Sequence, residues 1–307
     1  MLENQKNIIS KKKYRPKILD VVVICVLLVF VLYLAQKITT GIYYKWNWAV
    51  IPQYLFRYDS SRGAWVSNLL MQGFYTTIRL SVWATILAVI AGTIMGLFSV
   101  SSSLFKRLVA RTYVELIRNT PPLVLIFIFY FFIGQQITAA LRIDEFVFSC
   151  SVDVQKIIGF FLASPGQISV FLSALITLVL YEGAYITEIV RAGIQSIEKG
   201  HWESSASLGL SRWQQMRFVI LPQAFRRTLP ALGGQLISTI KDSAIVSVIS
   251  IQDLTFQGME LMSATYLTFE VWITITGMYF VLTFICSIVI RRLELYFQSK
   301  RSVYHSA

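Results

Sequence analysis

The stretch SVWATILAVIAGTIMGLF, residues 81–98, runs without a single charged side chain. A helix needs about twenty mostly apolar residues to cross the hydrocarbon core of a bilayer. The stretch therefore predicts a membrane-spanning helix, which we expect to begin near Leu70. Of the 307 residues, 55% are hydrophobic and only 14% are charged, whereas soluble domains carry about 25% charged residues. This composition indicates an integral membrane protein whose apolar surface faces lipid.

Further segments have the length and composition of membrane-spanning helices, which gives six spans in all. The first follows a basic cluster and is not followed by a small-residue cleavage site, so we interpret it as an uncleaved anchor rather than a signal peptide. The fourth is interrupted at Ser164-Pro165-Gly166, so we expect its helix to begin near Ile168. The fifth is apolar except for Lys241 and Asp242. The five segments are 18–36, 119–141, 157–181, 229–250 and 271–290.

The net charge of +12 is distributed unevenly over the segments between the spans. With the N-terminus inside, twenty of the 28 basic residues fall in cytoplasmic segments and six in external ones. An excess of Lys and Arg in cytoplasmic loops is the usual bias of membrane proteins. The positive charge therefore belongs to the cytoplasmic face and its anionic lipid, and nucleic acid is not an expected partner.

The segment RAGIQSIEKGHWESSASLGLSRWQQMRFVILPQAFRR, residues 191–227, is the longest cytoplasmic loop. Gly200 permits a turn, and Gly209 ends a short helix because its backbone tolerates the left-handed region. Ser211 is a good N-cap for a third helix, whose apolar residues include Trp213. We expect Pro222 to end or kink that helix. The pattern predicts a compact projection from the membrane, although a surface connector that binds nothing remains the alternative.

This loop resembles a motif of the ABC-importer permeases, EAA-x3-G-x9-I-x-L-P, with serine in place of both alanines and valine in place of isoleucine. Three other stretches resemble the polar amino-acid subfamily of these permeases. The matching loop residues are Glu203, Ser204, Ser205, Ala206, Gly209, Leu221 and Pro222, and the other stretches are YVELIRNTP (113–121), EIVRAGI (188–194) and IKDSA (240–244).

The resemblance implies the fold and the division of the chain. The expected fold is all-α, with the type I permease core of five transmembrane helices plus one extra N-terminal transmembrane helix. The expected parts are a basic cytoplasmic tail (1–17), an anchor helix (18–36), a periplasmic segment (37–66), the permease domain (67–297) with its coupling loop at about 193–222, and a cytoplasmic tail (298–307).

The resemblance also implies a mechanism. Such a permease pairs with a second permease, identical or related, in the bacterial inner membrane. An ABC ATPase dimer, which uses ATP and Mg²⁺, binds the loop from below, and a periplasmic binding protein delivers a polar amino acid from above. The coupling helix is expected at about 202–210.

Ionisable side chains at bilayer depth are costly and are candidates for function. We single out Lys241, Asp242, Glu182 and Arg79 as candidates for the translocation pathway, where charges could receive a zwitterion. Each could instead pack helices together. Glu188 lies three residues before Arg191 on a helix, and we expect a local ion pair between them.

Other functions are less well supported by the residues. The chain has no phosphate-binding loop of the GxxxxGK[ST] type, two histidines and three scattered cysteines, so we expect neither catalysis, a bound cofactor nor a metal site. A secondary transporter or a channel for small polar solutes remains the alternative, but no inverted repeat is seen.

Six spans and the distribution of basic residues predict that both termini are cytoplasmic. A reporter that is active on only one side of the membrane, fused in turn to each end, is expected to report the cytoplasm in both cases. Opposite signals from the two ends would mean that one span was miscounted.

Overall fold

The computed structural model describes residues 18–41, 44–61 and 63–304. The predicted basic tail, residues 1–17, lies outside the described residues, as do 305–307 at the other end. The chain divides into two units, residues 1–47 and 48–307. The first contains α1, Ile18–Gly41, whose apolar side chains are largely exposed. The predicted anchor is thus a helix, and it continues five residues beyond the expected end at residue 36.

The second unit begins with short elements. A turn of 3₁₀-helix leads into α2, and two antiparallel strands, β1 and β2, then form a hairpin in which Phe56 pairs with Ser67. Tyr58 and Trp65 face each other across the strands with ring centroids 5.8 Å apart, a pairing that stabilises small hairpins. The elements are Trp48–Val50 (3₁₀), α2 Ile51–Leu55, β1 Phe56–Asp59 and β2 Ala64–Ser67. This hairpin is not predicted by the sequence analysis.

The rest of the described chain is helical. Its α-helices are α3 Leu69–Ser99, α4 Leu104–Arg118, α5 Pro122–Ile128, α6 Gln135–Ala140, α7 Ile143–Ser149, α8 Val152–Phe161, α9 Ile168–Gln195, α10 Lys199–Ser207, α11 Arg212–Gln214, α12 Leu221–Asp242, α13 Leu254–Thr265 and α14 Thr268–Tyr304. π-Helical turns join α5 to α6 and α11 to α12, at Phe129–Gly134 and Gln215–Ile220. Short 3₁₀-helices are found at Pro165–Gln167 and Ser243–Ile249.

Among the described residues, four helical stretches are long and apolar enough to cross a membrane: Leu69–Ser99, Pro122–Ala140, Pro165–Gln195 and Thr268–Tyr296. Each corresponds to a predicted span. α3 begins one residue before the expected Leu70, and α9 begins at the expected Ile168. The prediction of an all-α membrane protein is therefore confirmed, with the small hairpin as an addition.

The fifth predicted span, 229–250, differs from the structure. α12 begins earlier, at Leu221, and ends at Asp242, where 3₁₀-helix replaces it. Arginines near its start and the Lys241-Asp242 pair make it more polar than the four apolar stretches. Those two charged residues were expected midway along a continuous helix, but they lie at its C-terminal end.

α3 and α9 approach each other closely in the centre of the second unit. A Cβ on Gly92 would lie 2.7 Å from Cβ of Ile186, and one on Gly96 would lie 2.6 Å from Cγ1 of Val190. No side chain larger than hydrogen fits at either position without displacing α9. Gly92 and Gly96 form a G-x-x-x-G motif, and small residues at this spacing allow close helix contact in membranes.

A group of buried polar contacts ties α13 to α3 and α14. The Asp253 side chain is fully buried and accepts a hydrogen bond from the Phe256 backbone N–H at 2.8 Å, which caps α13. The Tyr279 hydroxyl donates to its other oxygen at 3.3 Å. The Thr77 hydroxyl of α3 accepts from the Leu254 backbone N–H at 3.1 Å. Three helices therefore meet around one buried carboxyl group.

Asp253 lies outside the four apolar stretches, and its pKa is unusual. Burial raises the pKa from 3.8 to about 7, although the hydrogen bonds from Phe256, Thr255 and Tyr279 partly offset this. The folded protein therefore holds a proton that the unfolded chain releases near pH 4. Because the folded state binds more protons over this range, stability falls as the pH rises from about 4 to about 7.

We expect Asp253→Asn to flatten this dependence, because asparagine keeps the helix cap without a titrating group. Relative to the variant, the wild type should lose up to about 1.4 kcal/mol of stability per pH unit over that range. Thermal unfolding of the detergent-solubilised protein at several pH values measures this, with Asp144→Asn on an exposed helix start as the control. Parallel pH profiles for wild type and Asp253→Asn would contradict the assignment.

Candidate functional site

The loop after α9 turns at a different place from the one expected. Gly200 lies inside α10, and the chain instead turns at residues 196–198, where Glu198 is extended and precedes the helix. α10, Lys199–Ser207, thus begins three residues before the expected start at 202. Within it, Glu203, Ser204 and Ala206 are exposed, while Ser205 is buried and donates to the Trp202 carbonyl at 2.9 Å.

Gly209 ends α10 as predicted. Its φ is +73°, in the left-handed region, and its N–H donates to the Ala206 carbonyl at 2.9 Å. Nothing lies within 4 Å of the position that a Cβ would occupy. The backbone conformation, and not a lack of space, is therefore the reason for glycine at this position.

The next helix also begins as predicted, but it does not end at Pro222. The Ser211 hydroxyl accepts from the Gln214 N–H, and the Gln214 side chain accepts from the Ser211 N–H at 2.8 Å, which is a capping box. The π-helical turn then leads directly into α12, with Pro222 in its first turn. The backbone is already helical before Pro222, and Pro222, which has no N–H to donate, directly follows the π-helical turn, where the i→i−4 hydrogen bonds are interrupted.

The outer surface of this loop is apolar to an extent that the sequence analysis missed. Leu208 is 79% exposed and Trp213 is 64% exposed. Phe218 packs edge-on to Trp213, and the Arg217 guanidinium lies 5.0 Å from the Trp213 ring centroid. Trp213 was named only as an apolar residue of this helix, with no prediction that it would be exposed. Large apolar groups exposed beside an arginine are typical of a protein-binding surface.

The inner side of the loop is anchored to the helical core. Trp202 and Met216 pack against a buried cluster that contains Ile194 and Ile220. In addition, the Arg227 guanidinium of α12 donates to the Ser196 carbonyl at the end of α9. The loop is therefore held by contacts with both α9 and α12.

Two of the four intramembrane candidates meet between α9 and α12. Glu182 is fully buried, and its Oε2 accepts a hydrogen bond from the Gln235 side chain. Its other oxygen has no hydrogen-bond partner within the part of the chain that the structure describes. The Asp242 carboxyl group lies beside it. The carboxyl groups of Glu182 and Asp242 thus lie side by side where α12 ends.

A cavity of about 550 Å³ extends from Gln235 along α9 and α12 to Arg227. Tyr185 and Glu188 line it, and the Arg118 guanidinium lies 5.9 Å from the Tyr185 ring centroid. Glu188 accepts from Nε of Arg191 at 2.8 Å, so the predicted local ion pair is present. The cavity therefore connects Gln235, which contacts Glu182, with the base of the loop at Ser196 and Arg227.

The other two candidates are placed differently. Lys241 is exposed in the last turn of α12, next to Asp242. Arg79 is remote from this cluster: it donates to the Gly159 carbonyl at 3.0 Å, beside Trp83, which donates to the Phe161 carbonyl at 3.0 Å. Both acceptors lie at the C-terminal end of α8, whose last carbonyls have no partner within the helix. This geometry favours a packing role for Arg79.

Residues 88–297 match the model of a protein family described as binding-protein-dependent transport system inner membrane component. The chain belongs to this family. The match covers α9, the loop, α12 and most of α14, which are the elements described above. The chain is therefore a component of a transport system in the inner membrane.

Curated relatives support the same assignment. The chain is 34% identical over 230 residues to the glutamine transport system permease protein GlnP of Escherichia coli strain K12, covering 74% of this chain and 91% of that protein. It is 33% identical over 229 residues to the probable glutamine ABC transporter permease protein GlnM of Bacillus subtilis strain 168, covering 74% and 92%. The expected membership of the polar amino-acid subfamily of ABC-importer permeases is confirmed.

Solved structures also match. A crystal structure of an amino acid ABC transporter with histidines superposes with a TM-score of 0.62 at 31% identity, covering 82% of this chain and all of that one. The MetNI methionine ABC transporter in an inward-facing conformation gives a TM-score of 0.55 at 17% identity, covering 75% and 96%. The predicted permease fold is confirmed.

Proposed function

We propose that this chain is the permease subunit of an ATP-driven importer of polar amino acids, and that it forms the translocation pathway together with a second permease. The similarity to permeases named for glutamine transport supports the substrate class. The observation that carries the proposal is the loop at 199–222, an exposed apolar surface anchored to the core helices α9 and α12.

In this proposal the loop docks into a cleft of an ABC ATPase dimer in the cytoplasm, and Glu203 lies on the docking surface. The partner hydrolyses ATP with Mg²⁺, because this chain carries no phosphate-binding loop of its own. Leu208 and Trp213 supply the buried apolar contacts, since interface cores are enriched in such side chains. A periplasmic binding protein delivers the amino acid to the opposite face, and both termini are cytoplasmic.

Transmission of movement is supported by the contacts of the loop. Trp202 and Met216 join it to the cluster beneath, and Arg227 joins α12 to the end of α9. When the ATPase subunits close, the loop and these helices move together as a rigid body, which is a common form of conformational change. The movement exposes the pathway alternately to the two faces.

The proposed substrate contacts lie where α12 ends. Interrupted helices with free backbone groups often form substrate sites at the midplane of transporters. In this proposal Glu182 and Asp242 accept hydrogen bonds from the ammonium group of an amino acid, and Lys241 attracts its carboxylate. The cavity along Tyr185 and Gln235 provides the route from this cluster toward the cytoplasm. Arg79 supports the outer end of the fold by holding α8.

Changes in the loop test the coupling. We expect Glu203→Arg and Gly209→Val to leave the protein in the membrane but to abolish ATP-driven uptake. The first reverses a charge on the docking surface, and the second places a β-branched side chain in the left-handed region, which it adopts poorly. Copurification of the ATPase and uptake are measured together.

The matched control for this experiment is Gly200→Ala. Gly200 lies on α10, the same helix as Glu203, and has open space around it. Alanine is therefore expected to be tolerated there. Normal uptake and full ATPase retention in both Glu203→Arg and Gly209→Val would contradict the proposed coupling surface.

Changes at the end of α12 test the pathway. Lys241→Met and Asp242→Asn each remove one charge-assisted contact to a zwitterion, worth about 1.5 to 3 kcal/mol. Uptake at low substrate is expected to fall about ten- to a hundredfold, while the amount of complex with its ATPase stays normal. Lys241→Arg, which keeps the charge, serves as the comparison. Loss of the complex itself, or normal uptake by both variants, would assign these residues to helix packing instead.

A further inference from the structure

A cavity of about 690 Å³ lies between the end of α3, α4 and the second half of α9. Its charged lining consists of Arg107, Arg111, Arg118, Arg191, Glu115 and Glu188. Four guanidinium groups and two carboxylates give the lining a net positive charge. Arg118 and Glu188 also line the cavity of the amino-acid pathway proposed above, whereas the other four charged residues do not.

Both carboxylates in the cavity already have partners. Glu188 accepts from Arg191 in a two-pronged ion pair, and Glu115 accepts from the Asn119 side chain at 2.8 Å. Arg107 donates to the carbonyls of Ser101 and Ser102 at 3.0 and 3.1 Å. Within the described residues, neither carboxylate forms a salt bridge with Arg107, Arg111 or Arg118.

Arg111 is the clearest case. It lines the cavity and is exposed, and within residues 18–41, 44–61 and 63–304 it makes no hydrogen bond and no ion pair. It lies one turn along α4 from Arg107, so the two guanidinium groups face the same side of the helix. Two neighbouring guanidinium groups at the mouth of a cavity match the geometry of a phosphate group, which can accept several N–H bonds at once.

The same helix is apolar on the adjacent side. Phe105 is 75% exposed, Leu116 is 63% exposed and Leu108 is 52% exposed. Ala110 and Ile117, by contrast, are buried against the protein. α4 thus presents an apolar surface beside a row of arginines. Helices of this type lie at the boundary between headgroups and acyl chains.

We propose that the cavity binds the phosphate headgroup of an anionic phospholipid from the cytoplasmic leaflet. Its acyl chains cover the exposed apolar side of α4, and its phosphate is held by Arg111 and Arg107. Charge and apolar surface are both needed for this ligand, whereas a free phosphate would use only the arginines. Basic pockets between helices on the cytoplasmic side of membrane proteins are suited to such headgroups.

The test uses the transporter complex as it purifies from the membrane, reconstituted in nanodiscs with equal amounts of phosphatidylglycerol and phosphatidylcholine. Native mass spectrometry after transfer to detergent counts the lipids that are retained. The wild type is expected to retain phosphatidylglycerol selectively. Arg111→Gln should lower this retention about fivefold, the factor that corresponds to about 1 kcal/mol for one basic side chain at an anionic surface.

Two further variants make the result specific. Arg111→Lys keeps the charge and is expected to restore most of the retention. Lys106→Gln removes a charge from the same helix, but Lys106 faces the Phe98 ring outside the cavity, so retention should stay at the wild-type value. Equal loss in Lys106→Gln and Arg111→Gln would overturn the proposal in favour of diffuse attraction.

Two other occupants are distinguished in the same experiment. Excess glycerol 3-phosphate is expected to leave the retained lipid in place; displacement would assign the cavity to a soluble phosphate compound and overturn the lipid assignment. Loss of another protein subunit from the Arg111→Gln complex would assign the cavity to a protein interface and would overturn it equally. Failure of the ATP-driven uptake proposed above affects neither measurement.

Discussion

The close contact of α3 with α9 is the constraint on which the second unit depends. Lipid tails are as apolar as leucine, so helices in a membrane associate mainly through close packing. Gly92 and Gly96 allow that packing, since any side chain there would meet Ile186 or Val190. With one side of α9 fixed against α3, its other residues are free to face α4 and α12. The acidic cluster of Glu182 and Asp242, and the two cavities of about 550 and 690 Å³, lie on those faces of α9.

Much of this fold could be predicted from the sequence, because hydropathy acts over whole segments. The starts of α3 and α9 followed from the first apolar residues after a polar stretch. The roles of Gly209 and Ser211 were also predictable, since few residue types satisfy the local backbone at either position. These are features for which neighbouring residues alone supply the physical reason.

The features that could not be predicted depend on contacts between distant residues. Nothing local requires α12 to end at Asp242; its end coincides with the meeting of Asp242 and Glu182, sixty residues earlier in the chain. The turn at 196–198 is held by Arg227 of α12 rather than by a glycine. Arg79 was identified as an intramembrane charge, but its acceptors on α8 lie eighty residues away. The exposure of Leu208 and Trp213 likewise depends on where the whole loop lies.

The π-helical turn between α11 and α12 has a mechanical consequence. Because the backbone stays helical from Arg212 to Asp242, the base of the loop and the acidic cluster are the two ends of one rod. α12 alone is about 33 Å long at 1.5 Å per residue. This rod can bend at two places: at the wide turn beside the loop, and at Pro230 inside α12, where proline removes one backbone hydrogen bond. The wide turn and Pro230 together therefore set how stiffly the base of the loop is linked to Asp242.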